Sequence, residues 1–163
     1  MPLVVATLEN ALRSIFQNPP KVLFDTADKW AKAYADYAAQ ATTVPTPATP
    51  LFTGLEPELF RGTLIATWTE PKTGSPATAA QAFVTALTTF WTLPPVVFTA
   101  GADSGAPVAV PGVAGLVPCL TGIFANIGNT AETAAAGVAA CLHAATVGIP
   151  MVLLPSNTPV TVI

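Results

Sequence analysis

Charge is what this chain most lacks. Only 9% of its 163 residues are Asp, Glu, Lys or Arg, against roughly a quarter in an ordinary globular chain. The deficit is uneven. From Thr73 to Ile163 the charged side chains are Asp103 and Glu132, accompanied by the one histidine, His143. Such a surface is poorly hydrated, so this half is expected either to lie in a membrane or to be covered by other protein. All six basic residues (Arg13, Lys21, Lys29, Lys32, Arg61 and Lys72) precede residue 73. They are interleaved with acids such as Asp25, Asp28 and Asp36 and form no basic stripe. Together with a net charge of −3, this argues against nucleic acid as a partner, because phosphate binding needs clustered Lys and Arg.

Histidine and cysteine are scarce as well. One His and two Cys cannot supply the four ligands of a structural zinc site, and no metal or cofactor is expected. Gly101-Ala102-Asp103-Ser104-Gly105-Ala106-Pro107 superficially resembles the nucleophile loop of trypsin-like proteases. That mechanism needs a histidine base placed upstream on a β-barrel, whereas His143 lies downstream in a helical segment. The loop therefore reads as a Gly-rich turn. Lys72-Thr73-Gly74 matches one short β-lactamase motif, but the chain has no Ser-x-x-Lys to supply the nucleophile. No catalytic residue is assigned, and His143 reads as an interfacial or capped histidine.

Uninterrupted apolar runs are also missing. A membrane-spanning helix needs about 20 predominantly apolar residues. The charge-free window 73–102 contains Pro76, Pro94 and Pro95. Window 104–131 is broken by Pro107, Pro111, Gly112, Gly115 and Pro118, and window 133–163 stops at Pro150. No Lys or Arg flanks them to set an orientation, so insertion is disfavoured. The N-terminus reaches Glu9 too early for the apolar core of a signal peptide, so none is expected.

What is present is helical periodicity. Val4, Val5, Leu8, Leu12, Ile15 and Phe16 share one stripe, stopped by Asn18-Pro19-Pro20. Asp25 or Thr26 is expected to cap a second helix that buries Ala27, Trp30, Ala31, Tyr34, Tyr37, Ala38 and Ala41. Residues 42–50 read as a Pro-rich extended strut. A third helix follows, with Pro57 in its first turn and Leu59, Phe60, Leu64 and Trp68 on its stripe. The fourth carries Ala79, Ala82, Phe83, Ala86, Leu87, Phe90 and Trp91. A fifth is expected to start at Pro118, and a sixth at an Asn129…Glu132 capping box.

The resulting expectation is an all-α domain over 1–150, built from three consecutive helical hairpins at about 3–41, 55–93 and 114–149, followed by an extended C-terminal arm over 151–163. The hairpins look like copies of one unit. Leu12-x-x-x-Phe16, Leu64-x-x-x-Trp68 and Leu120-x-x-x-Phe124 each close a first helix. Thr26-Ala27, Thr78-Ala79 and Thr133-Ala134 each open a second.

Cys119 and Cys141 lie on either side of the last hairpin's turn and could face each other. A disulfide there would staple the least charged hairpin, while reduced core cysteines are the default for a protein made in the cytoplasm. The extended apolar segments Val96, Val97 and Phe98, then Met151, Val152, Leu153 and Leu154, then Val160, Val162 and Ile163, are the expected assembly interface, adding to a neighbour's sheet edge or groove.

In composition and organisation, rather than by a diagnostic motif, the chain resembles small virion structural proteins of tailed bacteriophages, of the neck, tail, baseplate or capsid-decoration classes. The resemblance implies a non-enzymatic oligomer, made in the host cytoplasm and placed in a virion, whose partners are copies of itself and other proteins of the same particle. A membrane-associated helical protein and a small helical ligand-binding domain remain as alternatives.

Overall fold

The apolar stripes fold as helices, and the segments between them pair into a sheet. The computed structural model describes residues 3–68, 75–93, 96–98, 104–107, 109–154 and 156–163. Among these, α1 (Val5–Gln17), α2 (Leu23–Ala38), α3 (Leu55–Trp68), α4 (Pro76–Thr92), α5 (Val113–Ala125) and α6 (Ala131–Thr146) agree with the three expected hairpins to within a few residues. Six short strands follow the hairpins in pairs: β1 (Thr43–Val44) and β2 (Pro50–Leu51), β3 (Val96–Phe98) and β4 (Ser104–Pro107), β5 (Pro150–Leu154) and β6 (Thr158–Val162). The chain is thus mostly helical but not all-α. It runs through helix, helix, strand, strand three times.

The three units share a core pattern. Leu8, Phe60 and Leu116 occupy one position of the first helices, and Leu12, Leu64 and Leu120 the next, one turn on; all six are at most 1% exposed. Phe16, Trp68 and Phe124, a further turn along, pack half-buried on the same core. Each helix packs against its neighbours in sequence, and α6 packs back on α1, so the six close into a ring. At the closure, Gln17 Nε2 donates to Glu132 Oε1 over 2.9 Å, tying the end of α1 to the start of α6.

Helix starts differ from the sequence expectation where the local chemistry offered two choices. α2 opens at Leu23, ahead of Asp25, and the Thr26 hydroxyl instead bonds back to the Val22 carbonyl. α5 opens at Val113, leaving Pro118 inside the helix, where it has no N–H to offer the Ala114 carbonyl one turn back. α6 is opened by a reciprocal capping box between Thr130 and Thr133, one residue later than Asn129 and Glu132.

All five strand pairings are antiparallel, in the order β1-β6-β5-β4-β3-β2. The expected C-terminal arm is therefore a correction. β5 and β6 pair antiparallel inside the sheet, and Ile163 exchanges two backbone bonds with Thr42, at 3.2 and 2.8 Å. The proline strut is likewise corrected to β1, a turn and β2.

The sheet is strongly curled. Laid flat, six strands would put β1 and β2 about 24 Å apart. Yet the Thr43 N–H of β1 donates to the Ala48 carbonyl at 3.1 Å, and Ala48 lies within about 7 Å of chain from the start of β2. The end strands thus nearly meet. Pro45, Pro47 and Pro50 lack the N–H groups that a closing ladder would need, which explains why β1 and β2 meet as a seam.

α5 and α6 pack closely enough to leave no room for a side chain at two glycines. A Cβ at Gly112 would sit 2.5 Å from the Ala145 Cα, and one at Gly137 would meet the Ile123 side chain. Gly115, by contrast, faces open space. Gly112→Ala is expected to destabilise the fold by about 1–3 kcal/mol through overpacking against backbone. Gly115→Ala, inside the helix that Gly112 precedes, should stabilise it by about 0.5–1 kcal/mol. Urea denaturation of the two variants beside the parent chain measures the opposite signs.

Candidate functional site

The residues with most chemical potential are occupied structurally. His143 Nδ1 lies 2.6 Å from the Tyr37 hydroxyl. Among the described residues no group of His, Cys, Asp and Glu is placed to hold a metal ion. Ser104 lies in β4, while residues 101–103 of the protease-like loop and all of Lys72-Thr73-Gly74 fall outside the described residues. The depression between α2 and α3 is lined by Asp28, Lys32, Glu58 and Arg61 and opens to solvent. Two of its charges pair with each other, Arg61 with Asp28 at 2.9 Å, and Lys32 pairs with Asp36 at 3.0 Å.

Glu56 is the one fully buried carboxylate among the described residues. Its Oε2 accepts from the Thr53 N–H at 2.9 Å and the Thr53 hydroxyl at 3.2 Å, at the mouth of α3. Thr53-x-x-Glu56 is the sequence pattern of a capping box, so this anchor was legible although unread.

The ten residues expected at an assembly interface are divided by the two-residue period of the strands. Val96, Phe98, Met151, Leu153, Val160 and Val162 point inward and are at most 3% exposed. This is a correction: those six belong to the chain's own core. Val97 and Leu154 point outward, 41% and 42% exposed, with Val152 and Ile163 half-buried. Sequence reading missed two residues that join them, Val44 and Leu51, 39% and 50% exposed, because Val44 was placed on the strut and Leu51, just beyond it, was given no element.

Register lines these outward positions up. Leu51 is opposite Val97, Val97 opposite Ser104, and Ser104 opposite Leu154, a single row across four strands. Val152 lies opposite Pro159, and Val44 and Pro150 both oppose Thr161. No strand carries a charged residue, and neither do α4 and α5. All three ion pairs among the described residues lie on α1–α3. The ion pairs are thus gathered on α1–α3, while the strands themselves, α4 and α5 are free of charge.

Beneath the sheet, one hydrogen-bond chain joins the three units. Trp91 Nε1 of α4 donates to the Tyr34 hydroxyl of α2 at 2.8 Å. The Thr146 hydroxyl of α6 donates to the Leu142 carbonyl at 2.8 Å, so it accepts from the Tyr34 hydroxyl across 2.7 Å. Aromatic rings surround this chain: Tyr34 stacks on Phe60 and meets Phe90 edge-on. Cys119 on α5 and Cys141 on α6 form a disulfide with Cα atoms 5.9 Å apart, the pairing that their placement about the turn suggested.

No family model, curated protein or solved structure matches the chain, so the reading of this surface rests on its own geometry.

Burial drives the phenol pKa of both Tyr34 and Tyr37 far above its ordinary value near 10, and the nearby Tyr34 adds to the effect on Tyr37. A raised phenol pKa means that the folded state favours the neutral form. Its contribution to stability is complete below the unfolded value and is lost as pH rises above it. These are the chain's two tyrosines. Phenolate absorbance should therefore stay silent through pH 10, then appear in one step together with loss of helical circular dichroism. Tyr34→Phe, which strands the Trp91 N–H and uncouples Thr146, is expected to cost about 1–3 kcal/mol, measured by denaturant unfolding.

Proposed function

We propose that this chain is a non-enzymatic structural subunit of a large multi-subunit particle, of the kind found in tailed-bacteriophage virions. In this reading it joins copies of itself and other proteins of that particle through the outer face of its sheet. The observation that carries the proposal is the division of the sheet. Its inner side is satisfied by the chain's own helices, while its outer side presents Val44, Leu51, Val97 and Leu154 to solvent without a charged residue on any strand. Contiguous exposed apolar surface of this kind characterises interaction sites, and permanent interfaces are depleted of charge.

The membrane alternative finds less support, since none of the described helices is long and apolar enough to cross a bilayer. The ligand-binding alternative finds little support in the depression between α2 and α3, which is open and lined by paired charges rather than by apolar walls with converging polar groups.

Light scattering coupled to size-exclusion chromatography tests the proposal. The parent chain is expected to form concentration-dependent oligomers. Leu51→Glu with Val97→Glu, two outward neighbours facing each other across β2 and β3, should shift it to monomer with circular dichroism unchanged. A parent chain that stays monomeric at every concentration and does not enter particles, or oligomers indifferent to the paired substitution, would overturn the assignment of this face.

A further inference from the structure

We propose that the Cys119–Cys141 disulfide is a redox latch on the helix ring: its formation locks α5 in place, and its reduction releases α5 ahead of the other helices. This is independent of the particle reading, because it concerns the chain alone.

The case begins with α5 itself. Its sequence, Val113-Ala114-Gly115-Leu116-Val117-Pro118-Cys119-Leu120-Thr121-Gly122-Ile123-Phe124-Ala125, contains two glycines and a proline within the helix. Those are the residues that disfavour helix most. It has no side-chain N-cap, no acidic residue in its first turn and no basic residue in its last. Only Leu116 and Leu120 of its side chains are buried, whereas α6 buries eight. Even the Thr121 hydroxyl is buried without a hydrogen-bond partner.

What holds α5 against α6 is closeness. Gly112 abuts the Ala145 backbone near one end, and Ile123 packs on Gly137 near the other. The disulfide lies between these contacts, with its Cα atoms at 5.9 Å. On its other side α5 meets α4 through apolar packing such as the Phe83–Phe124 contact. The disulfide is therefore the strongest bond between this weak helix and the ring.

The latch is also reachable. Cys119 is exposed while Cys141 is buried, 4% exposed. A small thiolate such as that of glutathione can attack the Cys119 sulfur, breaking the S–S bond and expelling Cys141 as a thiolate that takes up a proton. A second glutathione then attacks the mixed disulfide, freeing Cys119 and leaving with the first as oxidised glutathione. Closing runs in reverse. The two cysteine thiols give up two electrons and two protons to oxidised glutathione, which leaves as two thiols.

Hydrogen exchange read by mass spectrometry on the full chain tests the proposal, oxidised and after treatment with dithiothreitol. Reduction is expected to speed exchange of the 113–125 amides by about tenfold or more while α1–α3 change by less than about twofold. The melting temperature should fall by about 5–12 °C. Oxidised glutathione should restore both, and the double variant C119S/C141A should match the reduced parent with or without reductant. Unchanged exchange in α5 on reduction, or acceleration spread evenly over all six helices, would overturn the latch. So would two alkylatable thiols in the parent chain after oxidation.

Discussion

The fold depends on a hydrogen-bond chain that takes one side chain from each of its three units. Trp91, Tyr34 and Thr146 come from α4, α2 and α6, and their polar atoms meet in a site from which water is excluded. Each hydroxyl has one proton, and each is used once: indole to phenol, phenol to threonine, threonine to the Leu142 carbonyl. Because every donor has one acceptor, the order is fixed. A helix hairpin that slipped by a turn would leave a buried N–H or O–H unpaired, which costs more than the bond itself contributes. Apolar stripes alone would tolerate such a slip; this chain does not. Trp91 and Thr146 lie in the last turns of their helices, so fixing them also fixes where β3 and β5 begin.

That coupling explains which parts were legible in the sequence. Helices bury stripes with a period readable from one segment at a time, so all three hairpins could be found. The equivalence of Leu12, Leu64 and Leu120 followed from spacing and is matched by their equal burial. The sheet was not legible, because its strands are two to five residues long and none pairs with its partner through a tight Asn-Gly or Asp-Gly turn. Val96-Val97-Phe98 and Met151-Val152-Leu153-Leu154 read correctly as extended, but which side each residue faces depends on strands contributed by all three units. The same ambiguity turned six core residues into interface candidates. For the C-terminal segment, alternation between Val160 and Val162 is meaningful only once Thr43, from the far end of the sequence, is opposite Val162.

The shortage of charge is shared out by this geometry. A ring of six helices has one inner and one outer side per helix, and the outer sides of α1–α3 carry every ion pair among the described residues. α4 and α5 expose Ala, Thr, Gln and Gly instead, and many of the α4 threonines return their hydroxyls to carbonyls one turn back, as Thr85, Thr88, Thr89 and Thr92 do. Such a surface spends its hydrogen-bonding capacity on itself. It is polar in composition but offers water little, which reconciles a threonine-rich helix with a poorly hydrated face.

Three copies of one unit need not be held by the same forces. The first unit contributes Tyr34, Tyr37 and Trp30 and carries most of the charge, so packing and ion pairs both act on it. The second contributes Phe60, Phe83, Phe90 and Trp91, the bulk of the aromatic core. The third has mostly alanines and glycines, with Phe124 as its one Phe, Tyr or Trp ring on the core. Its helices approach closely because of that, down to backbone contact at Gly112, yet small side chains gain little from burial. A covalent bond adds to the few other anchors of this hairpin, Phe124 on Phe83, Glu132 with Gln17 and His143 with Tyr37, and the cysteines occur in this unit alone. The disulfide and the small-residue packing are thus one solution: the closeness that deprives the third unit of apolar area is also what brings Cys119 and Cys141 within bonding reach.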